Sequence, residues 1–575
     1  MFVVMANPCA MDISSADIHV EAVDDLPILL AGLEQLGMPD LFAKVIGTHG
    51  TTRRYKTLEN GQALILWLLF LLSQADHRKY TVSAWVAQHR HTLQLAFVRP
   101  IMPDELSDDR LSTLLDRLSC QETQVALDDE LAARTVHVYQ PDGVSLLAVH
   151  LDGTTTYGFH APTPEGLMQL GRGKDGPHDA PNVKLMAATV GAGHYLTGVV
   201  APGSAAEDPL YRPVLTQAVD ILQPVADSLL FVGDAKFAAL ESRALCHSLR
   251  HSYLTVMPSR HEPAGTVEQW VEQALAGEWP GFAPVWRDDD LLGYGYERTR
   301  VRSATVKEQQ LSWTERVLLV WSAAHAKQQM GELRKRLAKA RKRLEALRVM
   351  PKQGRTVYRT ESDLQTAVEA ILTDCRVIDL LKVTFAVTGS GEQARYRVAT
   401  VVEVPDAVLQ AIRRLGWRVY LTNAASDVLP LAQAILTYRG VPAGVERFFH
   451  LLKGRSLGLH PLFVRSDEQI RGLLYLLTLA SRVLTYLEGV ARKTLRISQT
   501  GLTHLILNNL HKAVEKPTIR QLLEAVCRSS ITLVIMHDTT GAVIRKLSSI
   551  PVVVEKIIHA MRLPEDTYLR LIRDQ

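Results

Sequence analysis

VSLLAVHLDGTTTYGFH, residues Val144–His160, is the stretch on which the fold turns. Val144–Leu151 is a short apolar run with β-branched residues, the pattern of a buried strand. Asp152 follows it directly, where α/β folds place site residues as a central strand emerges. The same arrangement recurs in SLLFVGDAKFAA, Ser228–Ala239, an apolar strand over Ser228–Val232 with Asp234 just beyond it. Asp is common in turns and Asp152-Gly153 is an ordinary turn dipeptide, so each carboxylate alone has a structural explanation. The pairing shifts the weight: if the two strands are neighbours, their terminal carboxylates could share a divalent cation.

Around these two runs the pattern alternates. Thr155–His160, Lys184–Val190 and His194–Val200 read as strands joined by short loops, an antiparallel meander. A helix at Pro209–Leu222, the Ser228–Val232 strand, a helix at Ala238–Leu249 and a strand at Ser252–Val256 then argue for parallel, buried strands with right-handed crossovers. Upstream, residues 20–135 read as helices. Asp24–Leu36 ends at the C-cap residue Gly37, Leu58–Leu72 is apolar nearly all round, and Val82–Ala96 and Asp108–Leu118 are amphipathic. Trp67 and Trp85 read as core residues rather than base-stacking ones.

Downstream, residues 259–415 interrupt the core with strand candidates at Leu292–Val301, Arg316–Trp321, Lys382–Thr388 and Arg395–Val402. Within them His325–Val349 forms a helix with Met330, Leu333, Leu337, Ala340, Leu344 and Leu347 as an apolar seam. The core resumes with a strand at Trp417–Thr422 and a helix starting near Gly444. From Asp467 onward the chain is mainly helical, with a possible strand at Ile531–Met536. The expected organisation is therefore a helical region over 1–140, a first core part over 141–258, an insertion over 259–415, a second core part over 416–466 and a helical region over 467–575. The fold class is α/β, a mixed sheet core interrupted by a β-rich insertion with a long basic helix and flanked by helical regions.

Composition bounds the function. A 575-residue chain with 47% apolar and 22% charged residues buries several cores and is not disordered. Its five scattered cysteines offer no CxxC pair, which excludes a disulfide framework and a zinc ribbon. The longest apolar stretches fall short of the roughly 18 continuous residues of a membrane span. The first residues lack a basic n-region, so we expect a cytoplasmic, nucleoid-associated protein with no membrane partner. Net charge is only +3, but it is segregated: His325–Val349 holds nine basic residues against Glu332 and Glu345. That run has two readings of comparable weight, a solvated coiled-coil face or a DNA-facing ridge in which Arg334, Lys335, Lys342 and Arg343 contact phosphates.

A third carboxylate, Glu446, lies in YRGVPAGVERFFHLLKG, where Glu446, His450 and Lys453 share one helix face. Spacing alone also fits an ordinary solvated Glu and Lys pair. The chain as a whole resembles the DDE-type transposases of bacterial insertion sequences, in the branch with a β-rich insertion and a Tyr-Arg-Glu-Lys signature. The resemblance rests on DLPILLAGLEQLGMPDLF, LSDDRLSTLLDRL, HLDGTTTYGFH, GRGKDGPHDAPNVKL, LLFVGDAKFAA, GWRVYLTNA, VERFFHLLKG and PLFVRSDEQIRGLLYLLTLA, in that order. It implies a ribonuclease H-like core with Asp152, Asp234 and Glu446 as catalytic, metal-binding triad. There are departures from the signature. Pro442 stands where its Arg is expected, Tyr438 is one residue too far from Glu446, and His178 stands where relatives often carry Arg. Tyr438, Arg439, Arg447 and Lys453 are the DNA-binding candidates around it, with Arg439 or Arg447 in place of the missing cation.

What the resemblance implies is metal-dependent cleavage at transposon ends and strand transfer into target DNA. In-line displacement at phosphorus suits two Mg²⁺ ions, with Mn²⁺ as a substitute, held by carboxylates rather than by a Cys or His cage. The implied partners are the terminal inverted repeats, recognised by N-terminal helices bearing Arg53, Arg54, Lys56, Arg78, Lys79, Arg90 and Arg99, target DNA, and a second copy of the chain on paired ends. Two alternatives stay open: a structure-specific nuclease on the same core, and a domesticated DNA-binding protein without the reaction.

Overall fold

In the computed structural model the described residues are all except 1–16, 48–57, 140–145, 175, 178, 259, 307, 350–356, 441–443, 538–542 and 574–575. They form a mixed α/β structure of two compact units, one from Met1–Ser252 with Gly440–Gln575 and one from Tyr253–Arg439.

The first unit begins with strand β1 (Asp17–Ala22) and helices α1 (Leu26–Gln35), α2 (Met38–Val45), α3 (Asn60–Gln74), α4 (Val82–Gln88), α5 (Arg90–Phe97), α6 (Asp108–Leu118) and α7 (Gln121–Tyr139). Helix α3 is apolar on every side because it is buried from Ala63 to Leu72. The expected single helix Val82–Ala96 is two, since His89 between them leaves helical geometry at φ −107° and ψ 21°. The N-terminal region is not all helical either. β1 pairs antiparallel with the later strand β13, a pairing across more than five hundred residues that local periodicity does not encode.

The sheet of this unit is built from β2 (Leu147–Tyr157), β3 (Asn182–Val190), β4 (His194–Pro202) and, after α8 (Tyr211–Leu222), β5 (Leu229–Gly233), which α9 (Leu240–Ser248) follows. The order is β4-β3-β2-β5. β2, β3 and β4 form the expected antiparallel meander, and β5 lies parallel to β2. One expectation fails here: Val144–Leu151 and Thr155–His160 are not separate strands. Asp152 and Gly153 make no turn, because both pair with β3, opposite Ala187 and Met186, and carry the strand through.

The second unit contains β6 (Ser252–Val256), α10 (Thr266–Leu275), β7 (Ala283–Arg287), β8 (Asp290–Val306), β9 (Gln309–Ser322), α11 (Ala323–Glu345), α12 (Glu361–Asp374), β10 (Leu381–Thr388), β11 (Arg395–Glu403), α13 (Pro405–Arg413), β12 (Trp417–Thr422) and α14 (Leu431–Arg439). Its strands are ordered β6-β12-β9-β8-β7, each pair antiparallel, with β10 and β11 as a separate hairpin. β12, the strand expected where the core resumes, pairs antiparallel with β6 and β9. The apolar seam of α11 is covered from within the unit. Leu333, Leu337, Ala340 and Leu344 pack with Leu364, Val368 and Ile371 of α12 and with Leu381 and Val398 of the hairpin.

The chain then returns to the first unit as α15 (Val445–Lys453), α16 (Asp467–Ser498), α17 (Ile519–Cys527), β13 (Thr532–His537), β14 (Val543–Leu547) and α18 (Val552–Ala560). By length and composition α16 would suffice to cross a membrane, but 94% of its apolar window is buried inside the protein. It is the axle of the helical core, touching α1, α3, α6, α7, α15, α17, α18 and β4.

Candidate functional site

Parallel pairing of β2 and β5 sets Leu151 opposite Gly233. The next residue on each is an aspartate, so Asp152 and Asp234 stand side by side. β5 ends at Gly233, and from Asp152 to Thr156 β2 is paired by β3 alone. That missing neighbour leaves the Asp152 side chain 22% exposed at an otherwise buried sheet. Burial, and secondarily the Asp234 charge, push the Asp152 carboxyl above its usual value, against the pull of Lys174.

The pair sits in a ring of matched charges. Lys174 Nζ lies 3.4 Å from Asp152 Oδ1 and donates to the Gly153 carbonyl. Asp234 Oδ1 accepts from the Tyr211 hydroxyl at 2.8 Å and from the Lys236 backbone N–H at 2.8 Å. Glu207 binds the Lys236 ammonium. Burial opposes ionisation of Glu207, but the Lys236 hydrogen bond and the charges of Lys174, Lys236 and Lys184 outweigh it and hold the carboxyl below its usual value. Burial and then the charges of Asp234, Asp152 and Glu207 push the Tyr211 phenol far up, so it stays a hydrogen-bond donor. Lys174, Glu207, Tyr211 and Lys236 were not candidates from sequence. Lys174 in GRGKDG and Lys236 in GDAK were visible signals, since each accompanies an Asp motif; Glu207 carried none.

Helix α15 packs against β2, β3 and β4. Its apolar face, Val445, Phe448, Leu451 and Leu452, is buried, and Glu446 and His450 are exposed. Lys453 reaches Thr154 Oγ1, two residues beyond Asp152 on the same face of β2, and its ammonium lies 5.9 Å from the Phe449 ring centroid. Glu446 does not join the two aspartates. Among the described residues no group of three His, Cys, Asp or Glu side chains is arranged to hold a metal ion. Arg447 is committed to the buried carboxylate of Glu488, which also binds Arg492 at 2.9 Å and accepts the Ile519 N–H at 2.7 Å. Tyr438 packs edge-on against Tyr420, ring centroids 5.0 Å apart, and Arg439 closes α14, both in the second unit. Pro442, His178, Arg53, Arg54 and Lys56 lie outside the described residues.

On α11 the four basic candidates divide. Lys335 pairs with Glu332 at 2.8 Å and Arg343 with Asp374, whereas Arg334 and Lys342 are exposed and unpaired among the described residues.

Two adjacent, water-accessible carboxylates fit a hard cation of the Mg²⁺ kind. Such an ion is commonly held by one or two carboxylates and completes its shell with water and phosphate oxygens.

No family model and no curated protein matches the chain. Among solved structures, a piggyBac transposase synaptic complex with hairpin DNA, determined by cryo-EM, is similar over 79% of this chain and 81% of that chain, at 10% identity and a TM-score of 0.23. At that TM-score the likeness carries no argument about this chain.

Proposed function

We propose that the chain is a DDE-type DNA transposase, of the insertion-sequence branch its motifs resemble, that cleaves DNA at transposon ends and joins the ends to target DNA. One observation carries the reading: the Leu151–Gly233 register that sets Asp152 beside Asp234 on parallel neighbours. The order β4-β3-β2-β5 supports the ribonuclease H-like core that the resemblance implies.

In this reading Asp152 and Asp234 would hold divalent cations, Mg²⁺ or Mn²⁺, and Glu446, apart from the pair in this structure, would be the third carboxylate, carried on the helix that packs against the Asp152 strand. When bound, such ions activate a water or 3′-hydroxyl and stabilise the leaving oxygen of an in-line displacement. The protein supplies the rest. Lys174 and Lys236 set positive charge beside the carboxylates, where a scissile phosphate is attracted. Lys453, hydrogen-bonded to Thr154, fixes α15 against the strand of Asp152. Tyr211, a donor held at Asp234, orients that carboxylate. Two ends must meet before joining, so the acting species is a dimer on paired ends.

The test uses a duplex bearing the terminal inverted repeats that flank the coding sequence. With Mg²⁺ the protein is expected to nick the repeat ends and join them to a second duplex. Asp152→Ala, Asp234→Ala and Glu446→Gln should each abolish both steps while gel-shift binding persists. Nicking without joining would make the chain a nuclease; near-normal nicking by any one variant removes that residue from the site.

A further inference from the structure

A second charged site lies on the other end of α15, within the first unit. A cavity of about 460 Å³ opens between α16 and the end of α7. Its cations are Arg492, Lys493, Arg496 and Lys516, against Glu488 and Glu515. Glu488 is shared by two guanidiniums, those of Arg447 and Arg492, so one carboxylate answers two cations. Burial, opposed by the Glu488 charge and joined by that of Arg447, holds the Arg492 pKa below its usual value.

The cations are also held in place. Arg492 Nε donates to the Pro517 carbonyl at 2.8 Å and Lys493 Nζ to the His137 carbonyl at 3.2 Å. Val138, Tyr139 and Leu495 supply apolar wall. A basic cavity of this size, with fixed polar groups and an apolar side, suits a small anionic ligand or one unit of a polyanion.

Its position decides between those two. Ala192, on the cavity wall, belongs to the β3–β4 turn. The next residue, Gly193 (φ +93°), lies so close to α15 that a Cβ there would stand 2.7 Å from the Gly444 carbonyl oxygen and 3.0 Å from the Phe448 nitrogen. The cavity therefore adjoins the first turn of α15, where Glu446 is exposed. We propose that it binds a phosphodiester unit of an unpaired DNA strand that passes Glu446. This rests on the DNA-transposase reading, and adds a site that the carboxylate pair does not include.

The experiment measures binding of a 5′-phosphorylated single-stranded oligonucleotide, and of the matching duplex, by fluorescence anisotropy across a salt series. Replacing Lys493, Arg496 and Lys516 together by Gln should weaken single-strand binding at least about tenfold. The slope of log K against log salt should fall by about 2, at about 0.7 for each strand phosphate that no longer meets a cation. Glu515→Gln, an exposed rim change that leaves the cations in place, should tighten binding about threefold. Unchanged affinity and slope in the triple variant, or no gain with Glu515→Gln, overturns the proposal even while duplex binding and nicking persist. Full displacement by a mononucleotide at equal phosphate concentration overturns the strand assignment. A wild-type protein that binds neither oligonucleotide sinks the transposase reading itself, and this proposal with it.

Discussion

Two regions of the first unit bury an aspartate, and they do so in opposite ways. In the helical core Asp128 is 3% exposed and accepts from Arg482 at 2.6 Å and Tyr475 at 2.7 Å. Arg482, itself 1% exposed, also donates through Nε to the Tyr195 carbonyl and through Nη2 to the Leu196 carbonyl. Where β5 ends, Asp152 has among the described residues only the Gly153 N–H at 2.7 Å and an ammonium 3.4 Å away that is itself 41% exposed. A buried guanidinium pinned by two backbone carbonyls, together with a tyrosine hydroxyl, fixes a carboxylate, whereas a flexible, half-exposed lysine can swing aside. The first arrangement closes on itself and ties α7, β4 and α16 together. The second leaves carboxylate lone pairs to an incoming ligand, which is why the same residue type is structural in one place and a site candidate in the other.

The sharpest way to break this contrast is Asp152→Asn. It should take Mg²⁺-dependent nicking below detection while the urea midpoint stays near wild type; a collapse of stability would show that Asp152 is as structural as Asp128. Next in size is Asp128→Ala, which strands the Arg482 guanidinium in the core. Urea unfolding should report a loss of about 3–5 kcal/mol, the usual result of breaking a buried pair from one side.

Asp25 sharpens the contrast from a third position. It is 4% exposed with a Ser73 hydroxyl at 3.2 Å and, among the described residues, no cation paired with it. Burial pushes its carboxyl up to about 6. Because the folded-state pKa is raised, the penalty is absent below about pH 4, grows as pH rises to about 6 and is complete above. Asp25→Asn should therefore be more stable than wild type near neutral pH by about 3 kcal/mol, from about 1.4 kcal/mol per pKa unit. The gain should vanish in urea melts run below about pH 4; a constant gain at every pH would mean the aspartate is not the cause.

The smallest effect concerns α11. Arg334→Gln with Lys342→Gln should lower the salt slope of duplex binding by about 1.8, at about 0.9 per phosphate contact, if that helix faces DNA. Lys335→Gln with Arg343→Gln should lower it less, since those two already have carboxylate partners. Equal slopes in all three proteins would assign the charge run to a solvated face.

Legibility in the sequence followed range. Helix α6 at Asp108–Leu118, strand β12 at Trp417–Thr422 and the start of α15 after Gly444 appear where periodicity and capping put them, because those signals act within a turn or two. β1 was unreadable, since its partner β13 is at the other end of the chain. The neighbours of β12 were equally hidden: a buried apolar strand carries no mark of which strands will pair it, here β6 on one side and β9 on the other.

By itself the sequence determined that two apolar strands each lead into an aspartate, that a basic helix carries an apolar seam, and that Glu446 shares a helix face with Lys453. Only the tertiary structure decided that Asp152 lies within its strand, that its partner strand stops one residue short and bares it, and that Arg447 belongs to Glu488. The reason is physical: side-chain alternation and turn chemistry are local, whereas strand register and the choice of counter-ion depend on which distant backbone happens to pack alongside.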